Sequence, residues 1–277
     1  MSLALCAVSA AGQVAEGDRL FAMRAEGHKG AVARPERVDG AIAAYQRGIA
    51  SSPEDLEPRV RLLAALRFKG AYVATSREEK RRIFDQGRQV SEKAFALLDR
   101  KLAGLNIASS AKAPVSALAT AARTIPHAGE LFYWDAVHWG EWALVYGKMA
   151  AAREGAADRI RRNATIAHLS DPKIESGGGA RVLGRLHNQT PRIPFVTGWA
   201  SDREAVKFLR ESVALGPGVK ITKVFLAEAL VAADSKSRPE AFALLDEVVR
   251  TPNGTTHLVE NLAAQQDAAV LLKQWGR

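Results

Sequence analysis

The feature that most constrains this chain is a spacing. Three segments carry a small residue, a large one four positions later, a third residue three after that and a proline close behind: Ala41, Tyr45, Gly48 and Pro53; Ala205, Leu209, Ser212 and Pro217; Ala241, Leu245, Val248 and Pro252. Steps of four and three put these side chains on one stripe of an α-helix. Small residues let two antiparallel helices approach, the large one fills the gap towards the next pair, and proline ends the helix. Stacked helix pairs are therefore predicted, not a sheet.

The rest of the chain agrees. Apolar residues recur at helical steps, as in Val60, Leu63, Ala64 and Phe68 or Phe242, Leu245, Val248 and Val249, and alternating runs are few. Gly and Pro gather between such runs, at 51–53, 171–172, 177–179, 191–194, 216–218 and 251–254, and Asp202 and Ser237 stand as helix starts. The small-large-small-proline stripe is the second-helix pattern of tetratricopeptide (TPR) repeats, and Leu183, Gly184 and His187, with Leu226, Ala227 and Leu230, read as first-helix counterparts. The expected fold is all-α, an α-solenoid of antiparallel helix pairs with about four to five irregular TPR-like repeats. Residues 14–277 form one domain, and 255–277 cover the last repeat. Two stretches read as insertions, 100–126 and 191–200; insertions in a solenoid are expected on one face, where they shape a binding surface.

The net charge of +9 and pI near 9.8 would suit nucleic acid or anionic lipid, but the basic residues are scattered. Lys80, Arg81 and Arg82 follow directly on Glu78 and Glu79, and no aromatic stacking motif adjoins a basic run, so solvated helix faces are expected and no nucleic-acid partner. A single cysteine, Cys6, excludes an intrachain disulfide. No later stretch approaches the ~20 apolar residues of a membrane span. Residues 1–13 read as a signal or signal remnant, or as the opening turn of a helix; Ala7, Ser9 and Ala10 resemble a cleavage site, while no Lys or Arg precedes Leu3. Leu5 stands where a lipid-attachment site before Cys6 wants a small residue.

Chemistry-bearing residues are sparse. Leu131 to Tyr146 holds six of the eighteen aromatics, spread around the helix, and reads either as a central pillar or as an aromatic wall lining a cavity. Asp135, His138 and Glu141 lie at three-residue steps, but about 240° of rotation separates the first from the last, so all three do not meet one ion, and a hydrogen-bonded structural His138 is expected. Gly177 to Gly179 lack a phosphate-loop context and read as a flexible hinge before a helix. Arg181 and Arg185, one turn apart on that helix, suit an anionic ligand or plain solvation. No nucleophile elbow, dinucleotide fingerprint or metal cluster is present in the sequence, so a non-enzymatic protein without cofactor or metal is expected.

The order of motifs resembles the TPR-like T components associated with TRAP transporters. The likeness rests on Gly17-Asp18, the Ala41 to Pro53 unit, Tyr133-Trp134 and Trp139-Gly140, the Gly-rich stretch before Leu183-Gly184-Arg185, and the Asp202 to Pro217 helix. It implies a periplasmic or exported protein, with a cytoplasmic one as the alternative. Such a protein self-associates or binds a solute-binding protein, around a cavity for an apolar or carboxylated solute. Candidate lining residues are Trp134, His138, Trp139, Trp142, Arg181, Arg185 and His187, the last standing where an aromatic is usual. The competing expectation is a general protein-interaction TPR scaffold that takes a peptide in its groove.

Overall fold

The structure, a computed structural model, describes residues 9–194 and 196–276. Residues 1–8, Cys6 among them, lie outside, and with them the core of the signal and lipid-site readings. Thirteen α-helices make up the described chain, in the order α1 (Ala10–Ala22), α2 (Pro35–Ser51), α3 (Glu57–Tyr72), α4 (Arg77–Ala103), α5 (Val115–Ala122), α6 (Ala128–Tyr146), α7 (Lys148–Arg153), α8 (Ala156–Ser170), α9 (Gly178–Gln189), α10 (Asp202–Leu215), α11 (Lys220–Ala233), α12 (Arg238–Arg250) and α13 (Leu258–Gln274). Among the described residues there is no strand, only one isolated bridge between Lys29 and Val32. The all-α solenoid is what the chain forms.

Successive helices pack as pairs: α1 with α2, α3 with α4, α6 with α8, α9 with α10 and α11 with α12, with α5 and α7 interposed. The repeated stripe is the buried one. Ala41, Tyr45, Ala205, Leu209, Ser212, Ala241 and Leu245 have no exposure, and each helix stops just before its proline. Tyr45 also explains Gly17-Asp18: its ring lies where a Cβ on Gly17 would fall, 2.4 Å away, and its hydroxyl donates to Asp18 Oδ1 at 2.8 Å. Side chains cap helices at Ser9, Ser76 and Ser201, each accepting from an amide three residues on; Asp202 is the first residue of α10, behind the Ser201 cap, and Ser237 precedes α12 without a side-chain cap bond.

The stack ends on itself. Helix α13 packs over α11 and α12, the expected cover, and its N-terminus also reaches the first pair. Val259 is buried in one core cluster with Val14, Val38, Tyr45 and Phe68, and Arg24, just beyond α1, pairs with Glu260 at 2.7 Å. Central to the stack is α6, in contact with α3, α4, α5, α7, α8 and α9.

Two expectations are corrected. The insertions start towards opposite ends of α8: residues 104–127 run from the α4 C-terminus to the α6 N-terminus and reach Arg162 of α8 through the Ser110 and Ala113 carbonyls, while the loop after α9 starts beside the first turn of α8, since α8 runs antiparallel to both α6 and α9. Asp135 meets Arg159 and Gly129 meets Ser170 across one pair; His168 meets Gly179 across the other. The glycine run is not a hinge. Gly177 takes φ 82°, and Cβ atoms on Gly178 and Gly179 would fall 2.5 Å from the Tyr133 ring and 2.8 Å from His168, so all three serve a close approach of α9.

Candidate functional site

Helix α6 starts from His127 in a left-handed conformation, its Nδ1 2.5 Å from Glu130, and stops at Gly147, whose φ of 94° turns the chain into α7. Between these caps its aromatic side chains are core. Trp134, Trp139 and Trp142 are buried, and His138 has no exposure at all. The rings of Phe132, Tyr133, Trp134, Trp139 and Trp142 are enclosed by neighbouring helices, while the last turn of α6 leaves Tyr146 partly buried and Leu144 exposed. Of the two readings the sequence left for it, the pillar describes what these side chains touch.

The polar groups of α6 are each consumed by a different neighbour. Asp135, fully buried, accepts two bonds from the Arg159 guanidinium, both at 3.0 Å, and one from Asn163 at 2.7 Å. That fork-on-carboxylate pair ties α6 to α8. His138 Nε2 donates to the Leu63 carbonyl at 2.9 Å, which leaves Nδ1 as the unprotonated nitrogen; it is buried with no partner among the described residues. Burial pushes the His138 pKa below the usual histidine range, so the ring is neutral near pH 7. Glu141 takes Arg67 at 3.1 Å. No three His, Cys, Asp or Glu side chains among the described residues are grouped as metal ligands.

Arg181 and Arg185 part company despite lying one turn apart. Arg181 donates to the carbonyls of Glu175 and Ser176, at 3.0 and 3.3 Å, and to the Tyr133 hydroxyl. Arg185 pairs with Glu228 at 2.5 Å and covers the Phe225 ring, so the two do not converge on one anion. His187 stacks on Phe208, stands edge-on to Trp199 at 5.3 Å and accepts from the Ser201 amide through Nδ1 at 3.2 Å. It therefore does an aromatic residue's work at its position, as a flat surface under the 190–201 loop.

Residues 190–194 and 196–201 of that loop carry contacts of their own. Trp199 plugs its root, beneath the Arg161 guanidinium at 4.4 Å, and Arg192 pairs with Asp202. Within it Thr197 donates to Pro191 and accepts from the Ile193 amide. Ile193 and Val196 nevertheless stand 50% and 62% exposed. Two branched apolar side chains left in water beside a root closed by Trp199 are accessible for contact.

Residues that the sequence reading passed over complete the picture. On α4, Arg81, Asp85 and Arg88 fall at steps of four and three, a cation-anion-cation stripe that was legible as spacing. Asp85 binds Trp142 Nε1 at 3.0 Å and the Tyr146 hydroxyl at 2.5 Å, while Arg88 lies 3.8 Å over Trp139 and Arg81 4.8 Å over Tyr146. Lys220, buried at the start of α11, donates to the Thr251 carbonyl and so caps α12; burial pulls its pKa down. It borders a cleft of about 540 Å³ between the α10–α11 and α12–α13 turns, shared with Lys223 and His257. No protein-family model matches the chain, and no curated protein is significantly similar to it.

Proposed function

We propose that this protein is a non-catalytic TPR-like scaffold that holds a partner protein through the 190–201 loop. In the reading that the resemblance to TRAP-associated T components suggests, the scaffold is periplasmic and the partner is the solute-binding protein of a TRAP-type uptake system. The observation that carries the docking role is the pairing of exposed Ile193 and Val196 with a root locked by Trp199, His187 and Arg161. Supporting it, the groups that sequence alone offered for chemistry are engaged in holding helices together: Asp135 to α8, His138 to α3, Arg185 to α11. The rings of Trp134, Trp139 and Trp142 are enclosed, which favours docking of a protein over capture of a solute inside this chain.

The test is association measured by sedimentation velocity between the purified protein and the solute-binding protein of the same transport system. Association that disappears in Ile193→Asp/Val196→Asp, with the helical circular dichroism unchanged, supports the reading. Association that survives the double substitution overturns the loop's role. Absence of association with the intact protein moves the scaffold to the alternative, a general protein-interaction module.

A further inference from the structure

The corner where α6 gives way to α7 has no part in that reading. Leu144 and Met149 are the two most exposed large apolar side chains among the described residues, at 79% and 72%. They flank the Gly147 turn, and α7 between Lys148 and Arg153 buries no residue. Its Ala150 and Ala151 pack only partly against the Trp139–Trp142 cluster, and the same short helix holds a methionine out into water.

Packed beside the corner is the start of α4. Arg77 donates to the Val145 carbonyl at 2.9 Å, and Arg81 and Arg88 lie over Tyr146 and Trp142. Residues 77–88 and 144–154 together hold seven Lys or Arg against four Asp or Glu. One of those carboxylates, Asp85, is occupied by Trp142 and Tyr146. Stacking on Tyr146 holds the Arg81 guanidinium in place without neutralising it, while Arg88 also pairs with Glu154 at 3.5 Å. The tertiary structure thus gathers a net positive rim around two protruding apolar side chains, from segments some sixty residues apart in the chain.

We infer that this corner docks onto an anionic lipid surface, with Leu144 and Met149 entering the boundary between headgroups and acyl chains and the basic rim meeting lipid phosphates. A peptide or helix recognised as an anchor needs walls around it. Side chains this exposed provide none, whereas a lipid surface receives what protrudes. Two apolar side chains or a few basic ones alone hold a protein weakly; together they give the two-signal, reversible attachment of a peripheral protein. No helix among the described residues is long and apolar enough to cross a membrane, so the contact is made from one side.

The experiment is co-sedimentation of the purified protein with sucrose-loaded vesicles of phosphatidylcholine, with and without phosphatidylglycerol. The protein is expected on the phosphatidylglycerol vesicles, with binding that weakens in high salt. Leu144→Ser/Met149→Ser and Lys148→Glu/Arg153→Glu, at exposed positions, each lower the partition coefficient roughly tenfold or more. Leu169→Ser, at the far end of α8, leaves it unchanged. Absence of vesicle binding, equal binding to both vesicle types, or an equal loss with Leu169→Ser overturns the inference. So does a corner variant that loses the solute-binding protein while keeping the vesicles, which would assign the corner to a protein. Partner association is read separately through Ile193 and Val196, so either conclusion can fail alone.

Discussion

Arg24, immediately after the first helix, donates from Nε and Nη2 to the same oxygen of Glu260 in the last, at 3.0 and 2.7 Å. The guanidinium also lies over Phe21 and Phe68, so the pair is seated on an apolar floor and only partly reached by water. This ion pair, with Val259 packed into the first core cluster, joins the two ends of the chain.

The pair should be visible in acid. Burial alone would raise the Glu260 pKa, but hydrogen bonds from His257 and the Arg24 charge hold it at about 2. A carboxylate with a depressed folded pKa contributes stability above its unfolded value near 4.5, and that contribution is lost as pH falls from there towards 2. Urea melts across this window should show a loss of up to about 3 kcal/mol, and Glu260→Gln should flatten that part of the profile. An unchanged profile in Glu260→Gln would show that the ends are held by Val259 packing alone.

His138 is expected to carry a packing role that Gly87 complements. A Cβ on Gly87 would stand 2.2 Å from His138 Nδ1. Gly87→Ala should therefore cost about 1–3 kcal/mol by overpacking, and His138→Ala about 2–4 kcal/mol through the cavity and the lost second bond to the Leu63 carbonyl. The double variant should be more stable than the sum of the two losses, because truncating the ring removes the clash. Strict additivity in thermal melts would contradict this contact.

Asp135 should tolerate little. Asp135→Leu leaves the buried Asn163 amide without its acceptor, while the partly exposed Arg159 can turn to water, so a loss of about 1–3 kcal/mol is expected. Asp135→Asn keeps the shape and one acceptor oxygen and should lose less. Chemical denaturation of the two variants orders them.

Gly147→Ala isolates a backbone effect, since no atom lies within 4 Å of a Cβ built there and the residue sits at φ 94°. A loss of about 1–2 kcal/mol is expected from left-handed strain alone. A neutral outcome would mean that the α6–α7 turn relaxes to another geometry, and vesicle binding by Leu144 and Met149 should then change with it.

Much of the fold was legible because helical packing leaves a periodic trace. The stripes Ala41–Tyr45–Gly48, Ala205–Leu209–Ser212 and Ala241–Leu245–Val248 are buried in the structure as spacing predicts, and prolines close their helices. The site was less legible. Arg181 and Arg185 share a helix face in projection, yet side chains this long reach for whatever carbonyl or carboxylate the fold supplies, and they reach different ones. Trp199 lies inside the 191–200 insertion with no local pattern to mark it, and only the stacking of α8 against α9 brings Arg161 and His187 to it.

By itself the sequence determined the helical secondary structure and the pairing of neighbouring helices, since each follows from periodicity over distances of one or two turns, and it left the aromatic segment 131–146 open between pillar and cavity wall. Tertiary structure alone decided that the ends meet through Arg24 and Glu260, that the two insertions leave opposite ends, and that basic residues of α4 rim the α6–α7 corner. Those relations depend on how small rotations between successive pairs accumulate along the stack. No local spacing encodes that sum.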